Sequence, residues 1–366
     1  MPTIAIPRLY SILLERVLPL VDKWCDSQVT NMVYLMMGLY KGRSVHLTRI
    51  ASKVPSGARK LSTAERLRRF LSNEAIQVQE VYDPVAQELL KRAAVSGRIR
   101  LVIDSSKVGF GHQLMMVALC YRRRTLPLVW TWIPYKKGHS QTSTQLALLR
   151  EVKAWLDDSV QVILLGDSEF GRTLLLEELD FCGWQYVLRQ SGHNLVWLKG
   201  AHDWRSLDSL AVRGSSVGWY PHTVLTRESA YPTHLVILWK QTFKEPWLLA
   251  TNVPCPALAL RLYSRRMWIE EMFGDMKDNG FDLEATHLRA AARLKRLTLA
   301  VCLLFVWFIA LGVAITQLGL AHLVDRADRR DLSFFRRGFD WLDRVLELND
   351  PLPPGFFPSF QMVLGG

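Results

Sequence analysis

The first 95 residues carry apolar side chains at helical spacing. They recur every three or four positions from Ile12 to Leu20 and from Val29 to Tyr40, which places them on one face of an α-helix. Two shorter helices are predicted at Val45–Val54 and Thr63–Leu71, with a Pro-Ser-Gly turn between them. The pattern predicts an N-terminal helical domain over residues 1–95, with a helix-turn-helix-like pair near its middle.

From residue 96 the pattern changes to short apolar runs that are expected to be strands covered on both faces of a sheet. The predicted order is strand Arg100–Asp104, hairpin strands Leu114–Tyr121 and Leu126–Ile133, helix Thr142–Leu156, strand Val160–Leu165, helix Arg172–Leu179 and strand Trp184–Leu188. Residues 191–245 read instead as tryptophan-containing strands separated by Gly, Ser, Asp and Pro. We therefore predict an α/β core in two parts, residues 96–190 and 246–322, interrupted by a β-rich insertion.

A helix is predicted over residues 263–277, which contain no proline. At about 100° per residue, Tyr263, Arg266, Glu270 and Lys277 fall within about 60° of one another. Glu271 lies off that line, so a carboxylate that works with these cations is expected to be Glu270. The alternative is a solvated face of paired charges.

Leu297–Ile315 is almost wholly apolar and long enough to cross a membrane. The alternative is a core helix buried on all sides. We favour the core helix, because no second span accompanies it. Residues 323–366, which are mixed in charge beyond Asp325, are expected to be a peripheral tail that serves oligomerisation or ligand binding.

Composition favours a globular protein with a polyanionic partner. The chain has 366 residues, 49% of them apolar, and a formal net charge of +12, which suits nucleic acid or an anionic membrane. Residues 41–70 contain nine Lys or Arg against one acidic residue. The five cysteines show no metal-finger spacing, which favours reduced thiols and a cytoplasmic location.

Two further carboxylates end apolar strands: Asp104 after the first and Asp167 after the fourth. Taken alone, each is more often a turn or helix-capping residue. The two strand ends are nevertheless expected to lie side by side in the sheet. Together with Glu270, these two aspartates make three carboxylates, whose oxygen atoms suit Mg²⁺ or Mn²⁺ rather than zinc as ligands.

These motifs together resemble insertion-sequence family four, a family of bacterial DDE transposases with a ribonuclease H-like core. The resemblance rests on Tyr-x2-Arg-x3-Glu-x6-Lys at 263–277, Asp-Ser-Ser at 104–106, Gly-Asp-Ser-Glu-Phe-Gly-Arg at 166–172 and Gly-Phe-x-Leu-Glu-x-Thr at 280–286. It spans about residue 30 to residue 310. It implies an α/β fold: a ribonuclease H-like catalytic core interrupted by a β-rich insertion, with an N-terminal helical DNA-binding domain.

The resemblance also implies a function. Asp104, Asp167 and Glu270 would be catalytic and would bind two Mg²⁺ or Mn²⁺ ions. Phosphates would be held by Tyr263, Arg266 and Lys277, and DNA further by the N-terminal residues Arg43, Arg49, Lys53, Arg66, Arg68 and Arg69. The chain would cleave DNA at the ends of its element and join the 3′-hydroxyls to target DNA, as a homodimer in the synaptic complex near the nucleoid. A nuclease without strand transfer and a catalytically silent DNA-binding protein stay open as alternatives.

Overall fold

The computed structural model describes residues 5–108, 111–134 and 140–361. Contacts divide the chain into two compact units. Unit 1 contains Met1–Arg92, Lys107–Gln113 and Phe273–Gly366, and unit 2 contains Ala93–Ser106 and Leu114–Met272. The N-terminal helices thus share a unit with the last quarter of the chain, whereas the sequence placed them in a domain of their own.

The predicted helices and strands occur in the predicted order with shifted bounds, while α5 and α11 have no counterpart with predicted bounds. The helices are α1 Ala5–Val17, α2 Asp26–Gly42, α3 Leu47–Ala51, α4 Lys60–Ser72, α5 Val78–Ala94, α6 Thr142–Lys153, α7 Thr173–Phe181, α8 Pro256–Tyr263, α9 Met267–Met276, α10 Ala291–Gln317 and α11 Phe334–Glu347. The strands are β1 Arg98–Val108, β2 His112–Tyr121, β3 Arg124–Pro134, β4 Gln161–Gly166, β5 Gln185–Arg189, β6 Leu195–Trp197, β7 Arg205–Ser206, β8 Gly218–Leu225, β9 Tyr231–Leu238 and β10 Trp247–Thr251.

The described strands form one mixed sheet in the order β3-β2-β1-β4-β5-β10-β9-β8-β6-β7. Strands β1, β4 and β5 are parallel neighbours, whereas β10 runs antiparallel to both β5 and β9. The apolar residues of β1 and β4 are buried, as expected for strands covered on both faces. The mixed α/β sheet fits the predicted ribonuclease H-like core, and β6 to β9 of the predicted insertion extend it.

Helix α10 is the buried centre of unit 1. It is the one described helix long and apolar enough to cross a membrane, but 94% of its most apolar window is buried inside the protein. The prediction of a core helix therefore agrees with its packing. Helix α10 is anchored by Arg296, whose guanidinium donates to the carbonyl oxygens of Leu71 (3.0 Å) and Ile76 (2.9 Å).

The expectation of a peripheral tail is wrong for α11, which packs against α10 with a buried aromatic face. Gly312 and Gly338 allow the close approach: a Cβ at either position would overlap a backbone carbonyl of the facing helix. Arg337 donates to Asp325 Oδ2 at 2.7 and 2.8 Å, and both side chains are almost fully buried. Residues 362–366 of the predicted tail and residues 1–4 of the predicted N-terminal domain lie outside the described residues.

The predicted continuous helix over residues 263–277 is two helices joined by a turn. Helix α8 ends at Tyr263, a 3₁₀ turn covers Ser264–Arg266, and α9 begins at Met267. Lys277 follows the end of α9. The chain thus keeps a nearly helical path through Tyr263, Arg266 and Glu270 with a tightened turn at its centre.

Candidate active site

Two carboxylates lie side by side because β1 and β4 are parallel and in register. The prediction that Asp104 ends its strand is wrong, since β1 continues to Val108, whereas Asp167 directly follows β4. Ile103 pairs with Gly166 across the two strands. The residues that follow them in the chain, Asp104 and Asp167, are therefore brought close together. Asp104 is buried, and its Oδ1 accepts the Ser105 backbone N–H. Parallel strands therefore bring together two residues that are distant in sequence.

Arg266 connects these carboxylates to the third. Its Nη1 lies 3.0 Å from Asp104 Oδ2 and 3.8 Å from Asp167 Oδ2, and its Nη2 donates to Glu270 Oε1. Side-chain exposure rises from 12% for Asp104 to 32% for Asp167 and 44% for Glu270. One guanidinium thus holds three carboxylates in a cluster that opens towards Glu270.

The charges of this cluster are mutually dependent. Burial raises the pKa of Asp104 to about 7, although Arg266 opposes the shift. Burial alone would lower the pKa of Arg266, but the neighbouring carboxylates of Asp104 and Asp167 raise it overall. The Arg266 guanidinium therefore stays positively charged at neutral pH, whereas the buried Asp104 carboxyl gains or loses its proton near neutral pH.

Tyr263, also in unit 2, is close enough for the charges of Asp167, Arg266 and Asp104 to act on its phenol. Its ring is buried and meets the ring of Trp247 edge to face, with centroids 4.9 Å apart. Burial, followed by the charge of Asp167, raises the pKa of its phenol. The hydroxyl thus stays protonated at neutral pH and can donate a hydrogen bond.

The adjacent Glu271 and the final residue of the signature lie elsewhere. Glu271 is exposed and pairs with Arg124 at 3.3 Å, so the structure separates it from Glu270 as the helix phase predicts. Lys277 belongs to unit 1, where its ammonium pairs with Glu284. The role of Lys277 stays a prediction.

Two further residues, Arg189 and Glu169, contact the cluster or a residue beside it, and the sequence analysis assigned no role to either. Arg189, the last residue of β5, places Nη1 3.6 Å from Asp167 Oδ1 and also pairs with Glu245. Glu169 accepts hydrogen bonds from the Ser105 hydroxyl (2.5 Å) and the Ser140 backbone N–H (3.0 Å). The signal for Arg189 was its position at the end of a parallel strand next to β4.

The predicted N-terminal DNA contacts divide into two groups in unit 1. Arg43 lies over the Phe339 ring at 4.8 Å, and Arg66 over the Tyr34 ring at 4.9 Å, so both have packing roles. Arg43 is nevertheless exposed and also pairs with Asp343 at 3.7 Å. The other four are exposed and lie over no aromatic ring that the structure describes: Arg49, Lys53, Arg68 and Arg69. Arg68 pairs with Glu65 on the same helix. The helices α3 and α4 pack together as the predicted pair.

The donor chemistry of the cluster suits a divalent cation, since Asp104, Asp167 and Glu270 offer only carboxylate oxygens. The arrangement shown is held by Arg266 instead. Among the described residues, no three acidic, His or Cys side chains are grouped closely enough to hold a metal ion. The residue types therefore fit Mg²⁺ or Mn²⁺, and the guanidinium meets the same negative potential that such an ion would meet.

Comparison with known proteins gives one family. The family model described as the transposase DDE domain matches residues 96–307, which include Asp104, Asp167 and Glu270. No curated protein matches the chain significantly.

Two solved structures resemble parts of the chain. A piggyBac transposase synaptic complex with hairpin DNA aligns at 10% identity over 94% of this chain and 80% of that one, with a TM-score of 0.43. A Marinitoga piezophila Argonaute with guide RNA and target DNA aligns at 8% identity over 69% and 37%, with a TM-score of 0.23. Both TM-scores are below 0.5, so these likenesses do not establish a shared fold. The family match covers more than half of the sequence, and the chain belongs to the DDE-domain transposases.

Proposed function

We propose that this chain is the transposase of an insertion sequence of family four. It binds the ends of its element, cleaves phosphodiester bonds there and joins the 3′-hydroxyl ends to target DNA. The observation that carries the proposal is the cluster in which Arg266 holds Asp104, Asp167 and Glu270 together. These residues come from two parallel strands and one helix within the part of the chain that matches the family.

We propose that Asp104, Asp167 and Glu270 bind divalent ions, two Mg²⁺ or Mn²⁺. When bound, such ions supply an activated water or 3′-hydroxyl and charge for the leaving oxygen of a phosphodiester. The carboxylates set the position of this chemistry. Asp104 is fixed by its burial and by the Ser105 N–H bond, whereas the more exposed Glu270 can adjust.

The cations beside the cluster would position the DNA strand. Three carboxylates alone would repel a phosphate. The guanidinium of Arg266 and the hydroxyl of Tyr263 can each donate hydrogen bonds to phosphate oxygens, which favours the approach of DNA. Arg266 and Tyr263 have the charge and the protonated hydroxyl needed. Lys277 is proposed to contact a phosphate of the bound DNA.

DNA is the proposed partner for the exposed basic residues of unit 1. Arg49, Lys53 and Arg69 can contact phosphates without sequence preference, which makes binding dependent on salt. Pairing two element ends requires two active sites, so a homodimer is proposed for the synaptic complex. We propose that the protein is located in the bacterial cytoplasm, associated with the nucleoid, and that it does not bind a membrane.

The test uses a DNA fragment with the sequences that flank this gene, incubated with the protein and a target plasmid. Mg²⁺, Mn²⁺ or EDTA is added, and products are sized on denaturing gels beside Asp104→Asn. We expect metal-dependent cuts at discrete ends and joined products from the wild type, and neither from the variant. This result would support both cleavage and strand transfer.

Two other outcomes would contradict the proposal. Cleavage without joined products would identify a nuclease that does not transfer strands. Binding to the ends without cleavage in either metal would identify a DNA-binding protein whose carboxylates no longer act. Glu271→Gln is the matched control, because Glu271 adjoins Glu270 but pairs with Arg124 away from the cluster.

A further inference from the structure

Unit 1 contains a basic pocket of about 550 Å³ that is separate from the carboxylate cluster. Its lining includes three arginines, Arg68, Arg289 and Arg293, and two histidines, His46 and His287. Among the described residues that line it, none is Asp or Glu. A concave site with this lining carries a formal charge of +3 before either imidazole is counted, which suits an anion.

The pocket is preformed by the packing of α10 beside α4. Arg296 of α10 donates to the carbonyl oxygen of Leu71 near the end of α4. Arg293 lies one turn before Arg296, and Arg68 lies one turn before Leu71. Residues three apart share a helix face, so this anchor fixes two arginines along one wall of the pocket.

Two histidines, His46 and His287, also line the pocket. The rings of His46 and His287 lie with centroids 4.6 Å apart and planes at 38°. His46 comes from the segment before α3, and His287 from the segment before α10. Each imidazole can present a ring N–H donor to an oxygen atom. The lining thus combines planar guanidinium groups with imidazole rings, and both kinds of side chain can donate hydrogen bonds to phosphate oxygens.

The arginines are available for a ligand. Arg289 and Arg293 have no acidic partner within ion-pair distance among the described residues. Arg68 pairs with Glu65, but both side chains are about half exposed, and such a pair contributes at most about 1 kcal/mol. A phosphate oxygen can therefore compete for Arg68 at little cost.

We propose that this pocket binds a phosphodiester group of the DNA backbone. The inference rests on the proposed function and adds a site to it, one that positions DNA on unit 1 without reading sequence. The pocket joins residues from both ends of unit 1, because His46 and Arg68 precede the matched family segment while Arg289 and Arg293 lie within it.

The experiment measures binding of the full chain to duplex DNA by fluorescence anisotropy from 50 to 300 mM KCl. The variant is the double substitution Arg289→Ala with Arg293→Ala. We expect it to bind about 10- to 100-fold more weakly at 100 mM KCl and to lower the slope of log affinity against log salt by about 2. Random-sequence and element-end duplexes are expected to show the same loss.

The matched control is Lys23→Ala with Lys91→Ala, which removes the same charge from exposed positions of unit 1 outside the pocket. Charges beyond about 10 Å are screened at 0.1 M salt, so we expect a change of about twofold or less. Equal losses in the two double variants would overturn the proposal and leave only general charge attraction. If the wild type bound no DNA, the proposed function itself would fail.

A second variant tests the histidines of the pocket without changing the charge of the arginines. His46→Phe keeps a ring against His287 but removes the N–H donor. Burial lowers the pKa of His46, so the substitution leaves net charge almost unchanged at pH 7.5. We expect about tenfold weaker binding, and undiminished binding would contradict a phosphate contact there.

The source of the phosphate is settled by competition. Inorganic phosphate at 20 mM, with ionic strength held constant, should leave the difference between wild type and the arginine variant intact. If that concentration removes the difference, the pocket binds free phosphate and the assignment to the DNA backbone is wrong.

Discussion

Replacing Arg266 by methionine would remove the cation that holds the carboxylate cluster together. Methionine keeps much of the aliphatic length of arginine, so the loss is chiefly of charge and hydrogen bonds. The Arg266 side chain is only 10% exposed, and its principal partner Asp104 only 12%. Removing one member of a buried ion pair costs about 3–5 kcal/mol, whereas the more exposed contacts to Asp167 and Glu270 contribute less than about 1 kcal/mol each.

The size of this loss depends on pH in a direction that the pKa of Asp104 determines. Burial raises the pKa of Asp104 to about 7, above the value of about 3.9 in an unfolded chain. The folded chain thus holds this proton more tightly, and stability falls as pH rises between the two values and then levels off.

Without Arg266 the pKa of Asp104 moves higher still. The variant should then continue to lose about 1.4 kcal/mol per pH unit above pH 7, where the wild type is level. The difference in free energy of unfolding between the two proteins is therefore small at pH 6 and widens between pH 7 and pH 9. Its upper limit is the cost of an unpaired buried charge.

The assay is urea unfolding in EDTA, followed by tryptophan fluorescence at pH 6, 7, 8 and 9. Arg265→Met is the matched control, because Arg265 is the adjacent residue and lies over the Trp268 ring at 5.5 Å rather than among the carboxylates. We expect the control to lose less than about 1 kcal/mol at every pH. Equal losses in both variants, or a gap that does not change with pH, would refute the reasoning.

Three other substitutions test the site and its support. Glu270→Gln should slow DNA cleavage by about 100-fold or more, while Glu271→Gln stays within about threefold; the reverse order in a gel assay would show that the helix phase is wrong. Gly338→Ala should cost about 1–3 kcal/mol in thermal unfolding, while Gly274→Ala, where a Cβ meets its neighbour at 3.6 Å, should cost nothing; similar results would contradict the close helix contact. Arg337→Met should cost about 3–5 kcal/mol in urea unfolding, since its carboxylate partner is buried; a loss below 1 kcal/mol would exclude a strong pair.

Most of what places Asp104 and Asp167 can be predicted from the local sequence. Only one step, which strands are neighbours in the sheet, depends on residues far apart in the chain. A continuous apolar run predicts a buried strand, and a carboxylate at the end of that run is expected where the strand ends. This holds for Asp167 after β4, whereas β1 continues past Asp104 to Val108. The remaining step, that β1 and β4 are neighbours, is a property of topology. The family resemblance supplied the topology, and the register of Ile103 with Gly166 agrees with it.

The turn between α8 and α9 could not be read in the same way. Neither proline nor glycine occurs in Ser264–Arg266, so local preference alone favours an uninterrupted helix. The i,i+4 relation of Arg266 to Glu270 survives the turn, because α9 begins immediately after Arg266. The more distant relation to Lys277 does not follow from the wheel, since α9 ends at Met276.

The burial of α11 depended on contacts that a local pattern does not contain. Its sequence mixes charges with aromatic residues, and that composition alone is compatible with an exposed amphipathic helix. What buries it is the facing pair Gly312 and Gly338, which are distant in sequence and let two backbones meet. Such complementarity appears only when both helices are placed.

The arrangement around Arg266 explains how a site built for polyanions can also hold three carboxylates. When all are ionised, three carboxylates and one guanidinium leave a formal charge of −2 in a partly buried place. Arg266 lies 3.0 Å from Asp104, the most buried of the three carboxylates, where an unpaired charge costs most. The remaining negative charge lies on the exposed side, with Asp167 and Glu270, where water reduces its cost. The protein can therefore fold with the cluster formed, and the remaining negative charge faces the solvent, from which the proposed divalent cations would enter.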